Sequence, residues 1–95
     1  MKVVYKDIKG YWAMNHYAGK QLGLKKEDVP PDGTLYMNKK FKGKEGTKRF
    51  RQIVGHEKFE IHNLRDRHMD YEEQETYTNK FERNMGRLRE QRRGL

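Results

Sequence analysis

His56-Glu57-Lys58-Phe59-Glu60 places an imidazole and two carboxylates within little more than one helical turn. His56 and Glu60 stand at i and i+4. On a helix their side chains lie one above the other and can ligate a single cation. Glu57, next to the first of them, could hold a proton for a metal-bound water. A cation lowers the pKa of such a water toward neutrality, and a carboxylate can then act as general base.

The segment carrying these residues has a helical period. With Phe50 at zero and about 100° per residue, Phe50, Ile53, Val54, Ile61 and Leu64 form one apolar stripe. Glu57 falls near its middle, Glu60 on its flank and His56 at its edge. Carboxylates are rarely buried unless paired, and an unpaired one shifts its pKa and neutralises. The stripe therefore asks for a metal ion, a basic side chain or a catalytic water. Against the metal stands a simpler reading: His56 and Glu60 as a helical pair, and Glu57 neutralised by Arg83 or Lys48.

Thr47 is an N-cap for this helix, which should run to about Asp66. Asp70-Tyr71-Glu72-Glu73 has capping-box spacing, and a last helix should run from there to about Arg89. Tyr71, Gln74, Thr78, Phe81, Met85 and Leu88 would form its inward stripe, with Glu75 and Glu82 on the same side. A short connection makes the two helices antiparallel neighbours. Their facing sides then bring His56, Glu57 and Glu60 toward Glu75 and Glu82.

The pentapeptide resembles the His-Glu-x-x-His helix of zincin metallopeptidases, with Glu60 in place of the second His. Residues 35–82 look like small archaeal and phage domains with a zincin-like layout. Those have a short strand, a polar loop, the motif helix, a Tyr-containing turn and a helix with inward polar residues. Tyr71 stands at the turn position, Glu75 where such domains often place a His, and Glu82 where they place a Glu. The resemblance implies a metal-dependent, peptidase-like hydrolase. His56 and Glu60 would be ligands, Glu57 the base, and Glu75 or Glu82 a further ligand. A site of one His and several carboxylates is harder than most zinc sites and also suits manganese, iron or magnesium. The expected cofactor is one divalent metal, zinc or manganese.

The rest of the chain must position this helix. Ninety-five residues with 33% apolar and 38% charged side chains make one small domain with a thin core. Aromatics at 12% compensate and argue against disorder. Residues 2–6 and 34–38 read as strands, the second with Phe41 as its alternative end. Asp7 would cap a helix over 8–22, weakened by Gly10 and Gly19, and Pro30-Pro31-Asp32-Gly33 marks a turn. The expectation is an α+β fold of about three helices on a two- or three-stranded antiparallel sheet. Residues 39–46 would be a mobile basic loop and 90–95 a frayed basic tail.

The net charge of +8 favours polyanions or acidic proteins as partners. Lys39, Lys40, Lys42, Lys44, Lys48, Arg49 and Arg51 cluster around the start of the motif helix. Arg87 and Arg89 belong to a second group at the C-terminus. A Gly-bearing Lys loop supplies charge and reach for phosphates, and Tyr36 or Phe41 could stack on bases. A basic nucleic-acid-binding or partner-binding protein without catalysis is thus the alternative function. Cysteine is absent, which suits an intracellular protein, and no run is apolar enough for a membrane span or signal peptide. His62 and His68 read as surface residues, whereas His16 flanks an apolar stripe and could complete a two-His site.

Overall fold

A computed structural model describes the backbone of residues 1–85 and the side chains of residues 1–78. The first strand, β1, spans Lys2–Lys6, as its Val-Val-Tyr sequence requires. The helix expected over 8–22 does not form. Gly10 adopts a φ of 83°, a left-handed conformation that ends any helix from Asp7. The chain then enters a fully buried strand, β2, at Ala13–Asn15. Only His16–Gln21 is helical, as α1. Its cap is Asn15 rather than Asp7: the Asn15 Oδ1 accepts from the Ala18 N–H at 2.9 Å. Gly19, which weakens a helix by propensity, is the point of closest approach to Val29. A β-carbon there would meet the Val29 methyls at 3.3 Å.

The third strand, β3, spans Thr34–Asn38 and stops where Lys39–Phe41 tighten into a 3-10 turn. It lies at the centre of the sheet, in the order β1-β3-β2. The sheet is mixed, not antiparallel. β1 runs parallel to β3, from Lys2 opposite Thr34 to Lys6 opposite Asn38, while β2 runs antiparallel with Met14 opposite Tyr36. The long segment between β1 and β3 supplies the crossover that parallel pairing needs, and it carries β2 and α1 with it. Among the described residues, the α+β class with three α-helices and a small sheet otherwise stands.

β3 alternates, with Leu35 and Met37 fully buried and their neighbours half-buried. Leu35 and Met37 pack with Ala13, Phe41, Phe50 and Ile53 as one core cluster. Ile8, Met14, Ala18 and Leu64 form a second, flanked by Tyr36 and Tyr71.

The motif helix, α2, spans Lys48–Ile61 and continues as a π-helical turn over His62–Asp66. Thr47 caps it through Oγ1, which accepts from the Phe50 N–H at 3.2 Å. The last helix, α3, spans Tyr71–Met85. Asp70 caps it, its Oδ1 accepting from the Glu73 N–H at 2.7 Å. α3 returns beside α2: the Phe59 and Tyr77 rings lie 5.8 Å apart, and the Arg67 guanidinium lies 4.8 Å from the Tyr77 ring. Among the described residues no helix is long and apolar enough to cross a membrane.

Candidate metal centre

α2 buries the residues its period selects. Phe50 and Ile53 enter the core, and Glu57 and Glu60 enter with them, at 6% and 4% exposure. His56 is half-buried beside them. Its Nε2 lies 3.8 Å from the Glu60 Oε2, the i, i+4 relation that the spacing implies. One ligand atom from each of His56, Glu57 and Glu60 falls within 4.8 Å of the others, so the three could hold a metal ion.

The residue that organises this group is Asn15, which the sequence did not reveal as part of a site. Its Nδ2 donates to the Glu60 Oε1 at 2.9 Å and to the Glu57 Oε1 at 3.2 Å. The orientation of the amide is fixed by chemistry. A backbone N–H can only donate, so the Asn15 oxygen must face Ala18 and the NH2 group must face the carboxylates. Asn15 is fully buried and uses both of its amide hydrogens here. The signal available in sequence was a polar residue on an otherwise apolar segment, and nothing local named its partners.

Among the described residues, Asn15 hydrogen bonds to Glu57 and Glu60 and His56 pairs with Glu60, and no Lys or Arg pairs with either carboxylate. Neutralisation by Lys48 is therefore not realised, since Lys48 is exposed at the far end of α2. The cost shows in the proton affinities. Burial, then the charge of Glu60, push Glu57 well above the usual carboxylate range; Asn15 opposes this and Glu75 adds to it. Burial raises Glu60 likewise, again with Asn15 opposing and Glu75 adding. Two carboxylates this close cannot both ionise freely without a compensating positive charge.

Glu75 lies close enough for its charge to act on both carboxylates, though it is not one of the three clustered ligands. It lies near enough to the Tyr71 hydroxyl for its charge to act there as well. Burial and then the charges of Glu75 and Glu60 hold that phenol above its ordinary value. The side chain of Glu82 lies outside the described residues, as do Arg83's side chain and all of Arg87, Arg89 and the tail at 90–95. His16 does not join the group: its Nδ1 lies 3.0 Å from the Pro30 carbonyl oxygen, and its ring packs edge-on against Tyr17. His62 is exposed and pairs with Asp66 at 3.0 Å, and His68 is exposed at a φ of 56°.

The basic residues Lys39, Lys40, Lys42, Lys44, Lys48, Arg49 and Arg51 are all exposed. Of the aromatics expected beside them, Phe41 presents no face for stacking. Phe41 is buried at 6% exposure, and Tyr36 is half-buried with the Lys6 ammonium 4.6 Å from its ring centre. Trp12, likewise half-buried and packed partly against the core, lies edge-on to Phe41 at 6.0 Å.

Comparison of the chain with protein-family models, curated proteins and solved structures finds no match.

Proposed function

We propose that this protein is a divalent-cation-binding domain in which His56, Glu57 and Glu60 supply the ligands and Asn15 orients the carboxylates. The observation that carries this reading is the burial of Glu57 and Glu60 one turn apart, beside a His and without a Lys or Arg partner among the described residues. Taking a carboxylate out of water costs several kcal/mol. An unshared buried pair is an expensive construction unless a cation or a shared proton compensates. The donor set fits a cation of intermediate hardness: one imidazole nitrogen with carboxylate oxygens suits zinc or manganese. Asn15 plays the part of an outer partner, holding one oxygen of each carboxylate so that the other is directed elsewhere.

The hydrolytic form of this reading follows the zincin resemblance and divides the carboxylates. His56 and Glu60 remain ligands, Glu75 completes the set, and Glu57 keeps its proton-accepting role. A bound cation supplies Lewis acidity and a more acidic water. Glu57, already held in a setting that favours its protonated form, is suited to take up a proton near neutral pH. Tyr71, whose hydroxyl lies within reach of the charge of Glu75, would help to orient that carboxylate.

Calorimetric titration of metal-free protein with zinc and with manganese tests the binding. One saturable site, lost in His56→Ala with the fold retained, is the expected result. Cleavage of an unstructured peptide by the loaded protein, lost in Glu57→Gln while metal stays bound, tests the hydrolytic form. If Glu57→Gln loses the metal itself, Glu57 is a ligand and not the base.

A further inference from the structure

A groove of ≈ 350 Å³ opens at the start of α2, away from the metal-ligand group, lined by Trp12, Lys40, Phe41, Lys44, Thr47 and Arg49. Its volume lies at the small end of ligand sites, about 300–1,000 Å³, which is room for one aromatic ring with a charged neighbour. We propose that this groove binds single-stranded nucleic acid, with a base stacked on the Trp12 indole and adjacent phosphates on Lys40, Lys44 and Arg49.

Three independent features converge there. The first is the aromatic platform. Trp12 is braced edge-on by buried Phe41 at 6.0 Å, which fixes the indole plane. The Lys40 ammonium lies 5.5 Å from the indole centre and 5.4 Å from the Phe41 ring centre. A cation resting on an aromatic face is a weak contact at an exposed site. A base can replace it on the ring while the ammonium moves to the base's own phosphate.

The second is charge against the helix dipole. The first turn of α2 contains no acidic residue, and Lys48 and Arg49 begin it. Positive side chains at a helix N-terminus oppose the partial positive charge of the unsatisfied N–H groups. An anion seated there relieves both. The third is the disposal of the acidic residue in this basic stretch. Glu45 accepts a hydrogen bond from the Tyr5 hydroxyl at 2.5 Å and from the Gly43 N–H at 3.3 Å, so its carboxylate is engaged with the protein's own donors.

A single strand fits these features better than a duplex, whose bases are stacked on each other and present no free face. An anionic membrane or an acidic protein would engage the lysines, but neither offers the flat ring next to a phosphate that an indole beside three cations accommodates.

The chain has one tryptophan, so its fluorescence reports on this groove alone. Metal-free protein in chelator is titrated with a short oligouridylate at low salt, followed in parallel by the anisotropy of a labelled strand. Expected are saturable quenching and an affinity that falls as salt rises, with a log–log slope of roughly −0.7 per phosphate contacted. Trp12→Ala should weaken binding about tenfold, in keeping with the loss of one stacked base. Trp12→Phe, which keeps a ring against Phe41, should bind close to wild type, and Lys40→Ala should flatten the salt slope. Thermal melts of each variant establish that it is folded. Equal binding by Trp12→Ala would overturn the proposal. So would inorganic polyphosphate, duplex or anionic vesicles binding as tightly as the single strand, or no quenching at low salt. Because chelator is present throughout, failure here leaves the cation site standing, and the reverse also holds.

Discussion

Asn15 and Glu60, forty-five positions apart, meet at 2.9 Å in the interior, and the same Asn15 nitrogen reaches Glu57. One side chain thereby caps α1, ends β2 and holds the two carboxylates of α2. The edge of the sheet and the motif helix are thus joined through a polar contact as well as through the apolar packing of Ala13 with Phe50 and Ile53.

Replacing that side chain separates its roles. Asn15→Ala removes the cap and both donors, and should destabilise the metal-free protein by about 3 kcal/mol, the sum of a lost cap and hydrogen bonds to charge-bearing groups. Asn15→Asp keeps the cap, since Asp serves there as well as Asn, but adds a third carboxylate to the pair. It should be at least as damaging near neutral pH and recover in acid, where the carboxylates are protonated. Urea denaturation in chelator on both sides of the carboxylate range checks this; an Asp variant equally stable at both would refute the assignment.

The raised proton affinities of Glu57 and Glu60 set the sign of a pH dependence. In the unfolded chain these groups ionise near the model value of 4.5. In the folded protein they hold their protons to higher pH. Their contribution to stability is therefore fully present below the unfolded value and is lost as pH rises through the folded values. Metal-free protein should become less stable across the mildly acidic to neutral window. Saturating zinc or manganese should reverse the trend, because the cation binds the deprotonated ligands and its affinity grows with pH. Thermal melts over that window, with and without metal, give the two slopes directly.

Glu57→Gln removes a buried group that can ionise while preserving shape and an acceptor for Asn15. The metal-free variant should be more stable near neutral pH by about 1–3 kcal/mol, and its pH slope should shrink. Metal affinity or peptide cleavage should be lost at the same time. A residue kept at a cost to stability is one that function requires; a Gln variant that is less stable than the wild type would mark Glu57 as structural.

At the other end of α2, Thr47 Oγ1 supplies the first helical N–H partner. Thr47→Ala should lower stability by about 1 kcal/mol, read as a shift in the urea midpoint with an unchanged m-value. Because Thr47 lies far from the carboxylates along α2, metal affinity should not change.

α2 was legible because its signals are local. Thr47 precedes it, apolar residues recur along it, and Glu57 falls mid-stripe, where it proves to be buried. β1, β3 and the start of α3 were legible for the same reason. The segment 8–22 misled because Ile8, Tyr11, Trp12, Ala18 and Leu22 fit a helical period, while a single φ of 83° at Gly10 diverts the chain. β2 exists through pairing with Met37, Tyr36 and Leu35, which no window around Ala13 contains. The parallel direction of β1 and the double contact of Asn15 are likewise long-range facts. Trp12, inside the segment expected to be helical, stands instead at a groove beside Lys40.

The most direct test of the cation site is a titration of metal-free protein with zinc, following the ring signals of His16, His56, His62 and His68 by NMR. Stoichiometric binding that shifts His56 first, with the His62–Asp66 pair and His68 following only at excess, is the expected result. A His56 signal that stays fixed while zinc saturates elsewhere, or no saturable binding at all, would contradict it and leave Glu57 and Glu60 as a buried pair sharing a proton beneath Asn15.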